Sequence, residues 1–201
     1  MPDVRVKTSG KVALLSHCLL NQNSKPYMRA RYPGAVTPVV EVLLEKGYAL
    51  FQLPCPEVSF TGLNRWSAVI EQYDTPKYRQ HCREIAVQVV DQLIQYPQYG
   101  YRCLLIGIDG SPTCGVRLTG SSEQWRGFPG AANLGEEYPV RDGQGVLMQE
   151  LMKEFESRGL GKLPAFGVGL DMHGIDLDTL GSSFKKELES TESRQPAGEG
   201  K

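Results

Sequence analysis

The sequence has almost no excess of either charge: 22 Lys and Arg stand against 23 Asp and Glu, a formal net charge of −1. That balance gives no electrostatic footprint for nucleic acid or for an acidic membrane surface. No apolar run is long enough to span a bilayer. The opening stretch, Met1 to Gly10, lacks the apolar core of a secretory signal, so the expectation is a cytoplasmic protein. No Cys-x-x-Cys pair occurs, so the usual zinc and ferredoxin spacings are missing. The five cysteines are an odd count for a chain of 201 residues, which speaks for reduced thiols rather than a disulfide framework. There is no internal repeat, and nothing in the pattern speaks to oligomeric state.

What is present points to an α/β protein. Apolar residues make up 40% of the chain, enough for one sizeable core, and the length suits a single domain over residues 1–188. Residues 189–201 have few apolar side chains, and their composition predicts a disordered tail. Short Val- and Leu-rich runs at Lys11–Ser16, Tyr48–Leu53, Tyr101–Ile108 and Leu163–Leu170 read as buried strands. Helical spacing separates them. Thr37–Pro38 and Thr75–Pro76 look like helix starts, with Thr as cap and Pro at the first helical position. Further helices are expected over Gln144–Arg158 and Asp176–Leu188. Residues 21–34 and 109–142 show no period and read as long loops, the second long enough to be functional. Strands alternating with helices imply right-handed crossovers and a parallel sheet covered on both faces, a Rossmann-like or flavodoxin-like arrangement.

Three cysteines stand just past predicted strand ends: Cys18 after Leu14-Leu15-Ser16-His17, Cys55 after Phe51-Gln52-Leu53-Pro54, and Cys114 in Ser111-Pro112-Thr113-Cys114-Gly115. Parallel sheets bind ligands outside the carboxyl ends of their strands, so three soft ligands delivered there suggest a metal or redox site. Cys82, on an apolar helix face, and Cys103, inside a strand, read instead as core. Glu57 lies two residues past Cys55 and could act as a general acid or base; the simpler account is a solvated loop residue or a cap. Ser111 before a proline is commonly a turn residue, yet it shares its loop with Cys114. His17 neighbours Cys18, but adjacent strand residues point to opposite faces. His173 follows the last strand and could reach the same edge. Arg65-Trp66 could bind a planar or anionic ligand, an exposed Arg beside a packed Trp being the plainer alternative. A cysteine-phosphatase Cys-x5-Arg loop is excluded, since the position after five intervening residues, where its Arg belongs, is Ser24, with Lys25 one residue late, and the loop lacks glycines to close around an anion.

Ser16-His17-Cys18-Leu19-Leu20-Asn21, Pro54-Cys55-Pro56-Glu57 and Ser111-Pro112-Thr113-Cys114-Gly115 together resemble the motifs of the DUF523, thiouracil desulfidase (TudS-like) family. The resemblance implies that Cys18, Cys55 and Cys114 bind a [4Fe–4S] cluster with one iron left open. It implies a non-redox desulfidase acting on a small thiolated heterocycle, with Glu57 as acid/base and Ser111 orienting substrate or water. The chain departs from the pattern at Asn21-Gln22-Asn23-Ser24-Lys25 and again after Glu57, as a divergent branch would. Two other readings remain: a metal- or cluster-binding module without turnover, and a hydrolase with Cys114 as nucleophile, for which no Cys–His–acid arrangement is evident.

Overall fold

Lys-Val-Ala-Leu-Leu at the start of the fold is apolar at consecutive positions, and a strand turns consecutive side chains to opposite faces. Such a strand is stable only if both faces are covered, and this one is: Val12 and Leu14 enter one core cluster, Ala13 and Leu15 another. Each fully buried Val or Leu contributes about 1.5–3 kcal/mol.

The computed structural model describes residues 7–27, 29–125, 138–169 and 176–193. Its strands are β1 (Lys11–Leu15), β2 (Ala49–Gln52), β3 (Arg102–Ile108), β4 (Leu118–Gly120), β5 (Val140–Asp142) and β6 (Ala165–Val168). Its α-helices are α1 (His17–Leu20), α2 (Thr37–Glu45), α3 (Pro56–Thr61), α4 (Ile70–Tyr73), α5 (Pro76–Leu93), α6 (Gln95–Gln98), α7 (Val146–Ser157) and α8 (Leu180–Glu192). A four-stranded sheet of order β2-β1-β3-β6 is parallel throughout, with Leu15 opposite Gln52 on one side and Ile106 on the other. Helices α5 and α7 cover one face and α2 and α8 the other. This is the α/β architecture the periodicity predicts.

The order reverses between β1 and β3, because the chain goes outward from β1 to β2 and then returns to the far side of β1. At such a switch point the loops leaving the carboxyl ends diverge and open a crevice.

The structure differs from the sequence reading in several places. Thr37 is already helical; Val36 is the N-cap, without a side-chain bond, because its amide is held by the Leu19 carbonyl at 2.8 Å. Thr75 does cap α5, accepting from the Tyr78 amide at 3.3 Å. The stretch 109–142 contains an antiparallel pair, β4 with β5, too short to show a period. Helix α8 continues through Glu192, past the tail boundary expected at 189, because Glu192 pairs with Lys11 at 2.8 Å and with the Tyr48 hydroxyl at 3.0 Å. No helix among the described residues is long and apolar enough to cross a membrane.

One buried carboxylate joins the two helices of the first face. Glu150 on α7 is 4% exposed and accepts from Arg79, Arg83 and Lys153 at 2.7, 3.2 and 2.9 Å. Burial alone would raise its pKa, but the bonds from Lys153, Arg79 and Arg83 outweigh it and hold the carboxyl below its usual value. A carboxyl depressed in the folded state stabilises above its unfolded pKa, about 4.3 for Glu, and loses that contribution as pH falls through the folded value. Acid titration of stability should therefore show Glu150→Gln less stable than wild type by about 1–2 kcal/mol at pH 7. The difference should shrink below pH ~4 as wild-type Glu150 protonates. A gap that stays constant down to acid pH would remove the ion-pair account.

Candidate active site

Each cysteine of interest is placed by a different local device. Cys18 is the second residue of α1, a single turn that starts as soon as β1 ends. The expectation that His17 and Cys18 face opposite ways fails for that reason: residues in a helical turn do not alternate, and both border the same cavity. Cys55 is the N-cap of α3, and its sulfur accepts from the Val58 amide at 3.5 Å. Pro56 at the first helical position leaves no amide wasted there.

Cys114 is held by a buried turn. The Ser111 hydroxyl oxygen accepts the amides of Thr113 and Cys114 at 3.3 and 3.1 Å, and the Gly115 amide returns to the Ser111 carbonyl at 3.0 Å. The first turn of α7 has no side-chain cap; its amides are taken by this turn instead. Gly145 donates to the Gly115 carbonyl at 2.9 Å, Val146 to Pro112 at 3.0 Å and Leu147 to Thr113 at 3.0 Å. Such close approach excludes a side chain at Gly145, where a Cβ would lie 2.4 Å from the Thr113 carbonyl carbon.

Asp109, 1% exposed, fixes the far end of the loop. Its carboxylate accepts the amides of Val116, Arg117 and Leu118 at 3.1, 2.9 and 3.3 Å and Arg117 Nε at 2.9 Å.

These devices converge. Cys18, Cys55, Cys114, Glu57, Ser111 and Thr113 border one cleft. The cleft lies at the carboxyl ends of β1, β2 and β3. Cys82 and Cys103 lie outside it in the core, and burial pushes their thiols up to about 12 and about 11. No cysteine is in a disulfide. Burial also raises the Cys114 thiol well above its ordinary value, and neighbouring Cys18 and Cys55 raise it further. The three sulfurs therefore sense one another.

Glu57 is not a solvated loop residue. Its Oε2 accepts Arg65 Nε at 2.7 Å and its Oε1 accepts the Thr113 hydroxyl at 2.7 Å. The Arg65 side chain is itself 5% exposed and spends Nη2 on the Ser24 carbonyl at 2.8 Å. The plainer sequence account of Arg65-Trp66 is thus inverted, with the Arg buried and Trp66 73% exposed. The polar run Asn21–Ser24, a departure from the family pattern, forms the turn that presents this carbonyl. Gln22 stabilises the turn by bonding the Cys18 carbonyl at 2.6 Å.

His17 is a brace. Burial lowers its pKa, while its bond to the Leu53 carbonyl raises it and Arg65 adds a smaller lowering. Its Nε2 lies 3.4 Å from Asn21 Nδ2. The ring thereby ties the Cys18 turn to the strand end that delivers Cys55. Lys25 and Arg29 also border the cleft, with Arg29 stacked 4.8 Å from the Tyr138 ring centroid and bonded to Ser67 at 3.0 Å. His173 lies outside the described residues.

Three thiols bordering one cleft are donors of the kind that iron–sulfur groups take. Among the described residues no three His, Cys, Asp or Glu side chains are placed to hold one metal ion. A cluster takes one thiolate per iron, so its ligands need not share a single ion. Three neighbouring thiolates also require nearby positive charge, which a metal group supplies. Ser16 Oγ, beside the Cys18 turn, and Tyr78 Oη, near Cys114 and Glu57, are buried without a protein partner.

The sequence singled out Cys18, Cys55, Cys114, Glu57, Ser111, His17 and Arg65 at this cleft but missed Thr113, Lys25, Arg29 and Tyr138. Thr113 was within reach, as a hydroxyl next to the third cysteine. The others depend on folding of the 21–34 and 109–142 stretches.

Because Asp109 satisfies three amides of the Cys114 loop, Asp109→Ala should cost about 3 kcal/mol. Tryptic cleavage after Arg117 should become faster, read by mass spectrometry alongside a denaturant curve. An unchanged midpoint and cleavage pattern would mean that the loop is held elsewhere.

Comparison with known proteins adds three findings. The profile of a family described as "Putative 2-thiouracil desulfurase" matches residues 26–165, a span that includes Cys55, Glu57, Ser111 and Cys114 but begins after Cys18. An uncharacterized protein of Methanocaldococcus jannaschii is 34% identical over 146 residues, 73% of this chain and 78% of the relative. No solved structure matches significantly.

Proposed function

The chain belongs to this 2-thiouracil desulfurase family, and from that premise we propose that it removes sulfur, as sulfide, from a thiolated heterocycle of the thiouracil type. The observation that supports the reading is the convergence of three thiols and an ion-paired carboxylate on one cleft. Cys18, Cys55 and Cys114 would hold a [4Fe–4S] cluster. Bound there by three thiolates, such a group would supply a soft Lewis acid suited to a thiocarbonyl sulfur.

The rest of the chemistry belongs to the chain. Replacing C=S by C=O takes its oxygen from water and releases hydrogen sulfide, with no electron gained or lost. Water must therefore give up protons as it attacks carbon, and Glu57 is the acceptor bordering the cleft. We place the proton at Oε1, since protonation there leaves the Arg65 bond at Oε2 intact. Arg65 keeps the carboxylate oriented between turnovers. Lys25, Arg29 and Arg65 give the lining positive charge, which stabilises negative charge as it develops on the departing sulfur. Ser111 holds the Cys114 turn, and its hydroxyl reaches Thr113 at 3.3 Å.

The test is anaerobic sulfide release from thiolated pyrimidines, with iron and sulfide analysis of the protein. Cys18→Ala, Cys55→Ala and Cys114→Ala should each lose most of the iron, and Cys82→Ala should keep it. Glu57→Gln should keep the iron but slow release by about 10²–10⁴-fold, as expected for a positioned proton acceptor. An iron-loaded wild type that releases no sulfide from any thiolated pyrimidine would favour a binding module instead.

A further inference from the structure

Thr113 is buried, 1% exposed, and its hydroxyl stands between three groups. Glu57 Oε1 is at 2.7 Å, Ser111 Oγ at 3.3 Å and Cys114 Sγ at 3.6 Å. A hydroxyl has one proton and two lone pairs. A carboxylate can only accept, and by length the bond to Glu57 is the strongest, so the Thr113 proton points to Glu57. Ser111 must then be the donor in the Ser111–Thr113 contact. The Ser111 oxygen already accepts two amides, so this donation saturates it. The direction of the chain is therefore fixed: Ser111 to Thr113 to Glu57.

The geometry points to Thr113 as a positioning residue that sets where the Glu57 carboxylate stands relative to the Cys114 sulfur. The proposal rests on the desulfidase reading for its kinetic consequence, though not for its structural one. Two residues grip Glu57. Arg65 reaches it from the 21–34 side through the Ser24 carbonyl, and Thr113 from the loop that carries Cys114. Only the second ties the carboxylate to the cysteine loop. Cys114 and Thr113 are consecutive, and that backbone is fastened to α7 through the Leu147 amide and to β3 through the Ile108 amide, which donates to the Cys114 carbonyl at 2.8 Å. Glu57 is in this way referenced to the same rigid element as the sulfur. Without the hydroxyl, Arg65 alone would hold it by one oxygen, free to swing about that bond.

A methyl in place of the hydroxyl tests this. Thr113→Val keeps shape and removes the bond; Thr113→Ser keeps the bond. Crystal structures of both, metal-free, should show Glu57 Oε1 within about 0.5 Å of its wild-type place in Thr113→Ser and displaced beyond that in Thr113→Val. Loaded with iron, Thr113→Val should hold as much iron and unfold at the same denaturant midpoint as Thr113→Ser. Its kcat on 2-thiouracil or 4-thiouracil should fall about 10²-fold with KM little changed, the cost of roughly an ångström of misplacement. Thr113→Ser should restore kcat to within a few-fold. A Glu57 that stays in place in Thr113→Val overturns the proposal, as does a displaced Glu57 with undiminished kcat. Loss of iron in Thr113→Val but not in Thr113→Ser also overturns it, because the hydroxyl would then serve the ligand loop itself. If the wild type turns over neither compound, the desulfidase reading fails, and the crystallographic comparison still decides whether Thr113 places Glu57.

Discussion

Helix α7 begins without a side-chain cap, and the loop that carries Cys114 supplies what is missing. Three carbonyls, from Pro112, Thr113 and Gly115, take amides that would otherwise be unsatisfied at a buried helix end. The exchange works in both directions: the helix gains its start, and an irregular buried loop gains partners for backbone oxygens that water cannot reach. Asp109 does the same for the amides on the loop's other side. Between them they turn a stretch with no regular structure into one of the most constrained parts of the fold. The remaining features of the cleft are arranged around that fixed piece, since Glu57 is bonded to it and Arg65 is bonded to Glu57.

The electrostatics follow from the same crowding. A buried thiol resists ionisation, and its two neighbours strengthen that resistance at Cys114. The cations at the cleft are divided in their commitments. Arg65 is spent on Glu57 and a carbonyl, and Arg29 lies over an aromatic ring. Their charge is thus held in place by packing rather than by solvent, which makes it effective in a partly closed site.

The sheet, its alternating faces and the strand-end positions of the cysteines were legible in the sequence, because they depend on local periodicity and on the general geometry of parallel sheets. Cys82 and Cys103 were legible as core for the same reason. What could not be read locally was the second partner of each polar residue. Glu57 looks like a loop carboxylate until Arg65 and Thr113 are brought to it by different elements. His17 was misjudged because one helical turn, too short to show a period, replaces the last residue of a strand. Thr37 lost its capping role to a backbone bond from Val36 to a distant turn. For Glu57 and Thr37 the deciding contact joins residues from different elements of the chain, and single-residue propensities carry no trace of it.

The capping of α7 has a consequence for how the protein is made. The first and second thiols sit on turns whose immediate supports, β1, β2 and α3, come early in the chain. The third emerges from the ribosome well before Gly145, Val146 and Leu147, the residues whose amides hold its loop in shape. Until α7 has been synthesised and docked, Cys114 is a thiol on an unsupported segment, however complete the strands behind it. Placement of the third thiol is thereby deferred until α7 has been made, so a nascent or truncated product ending before α7 lacks the partners that fix the Cys114 loop.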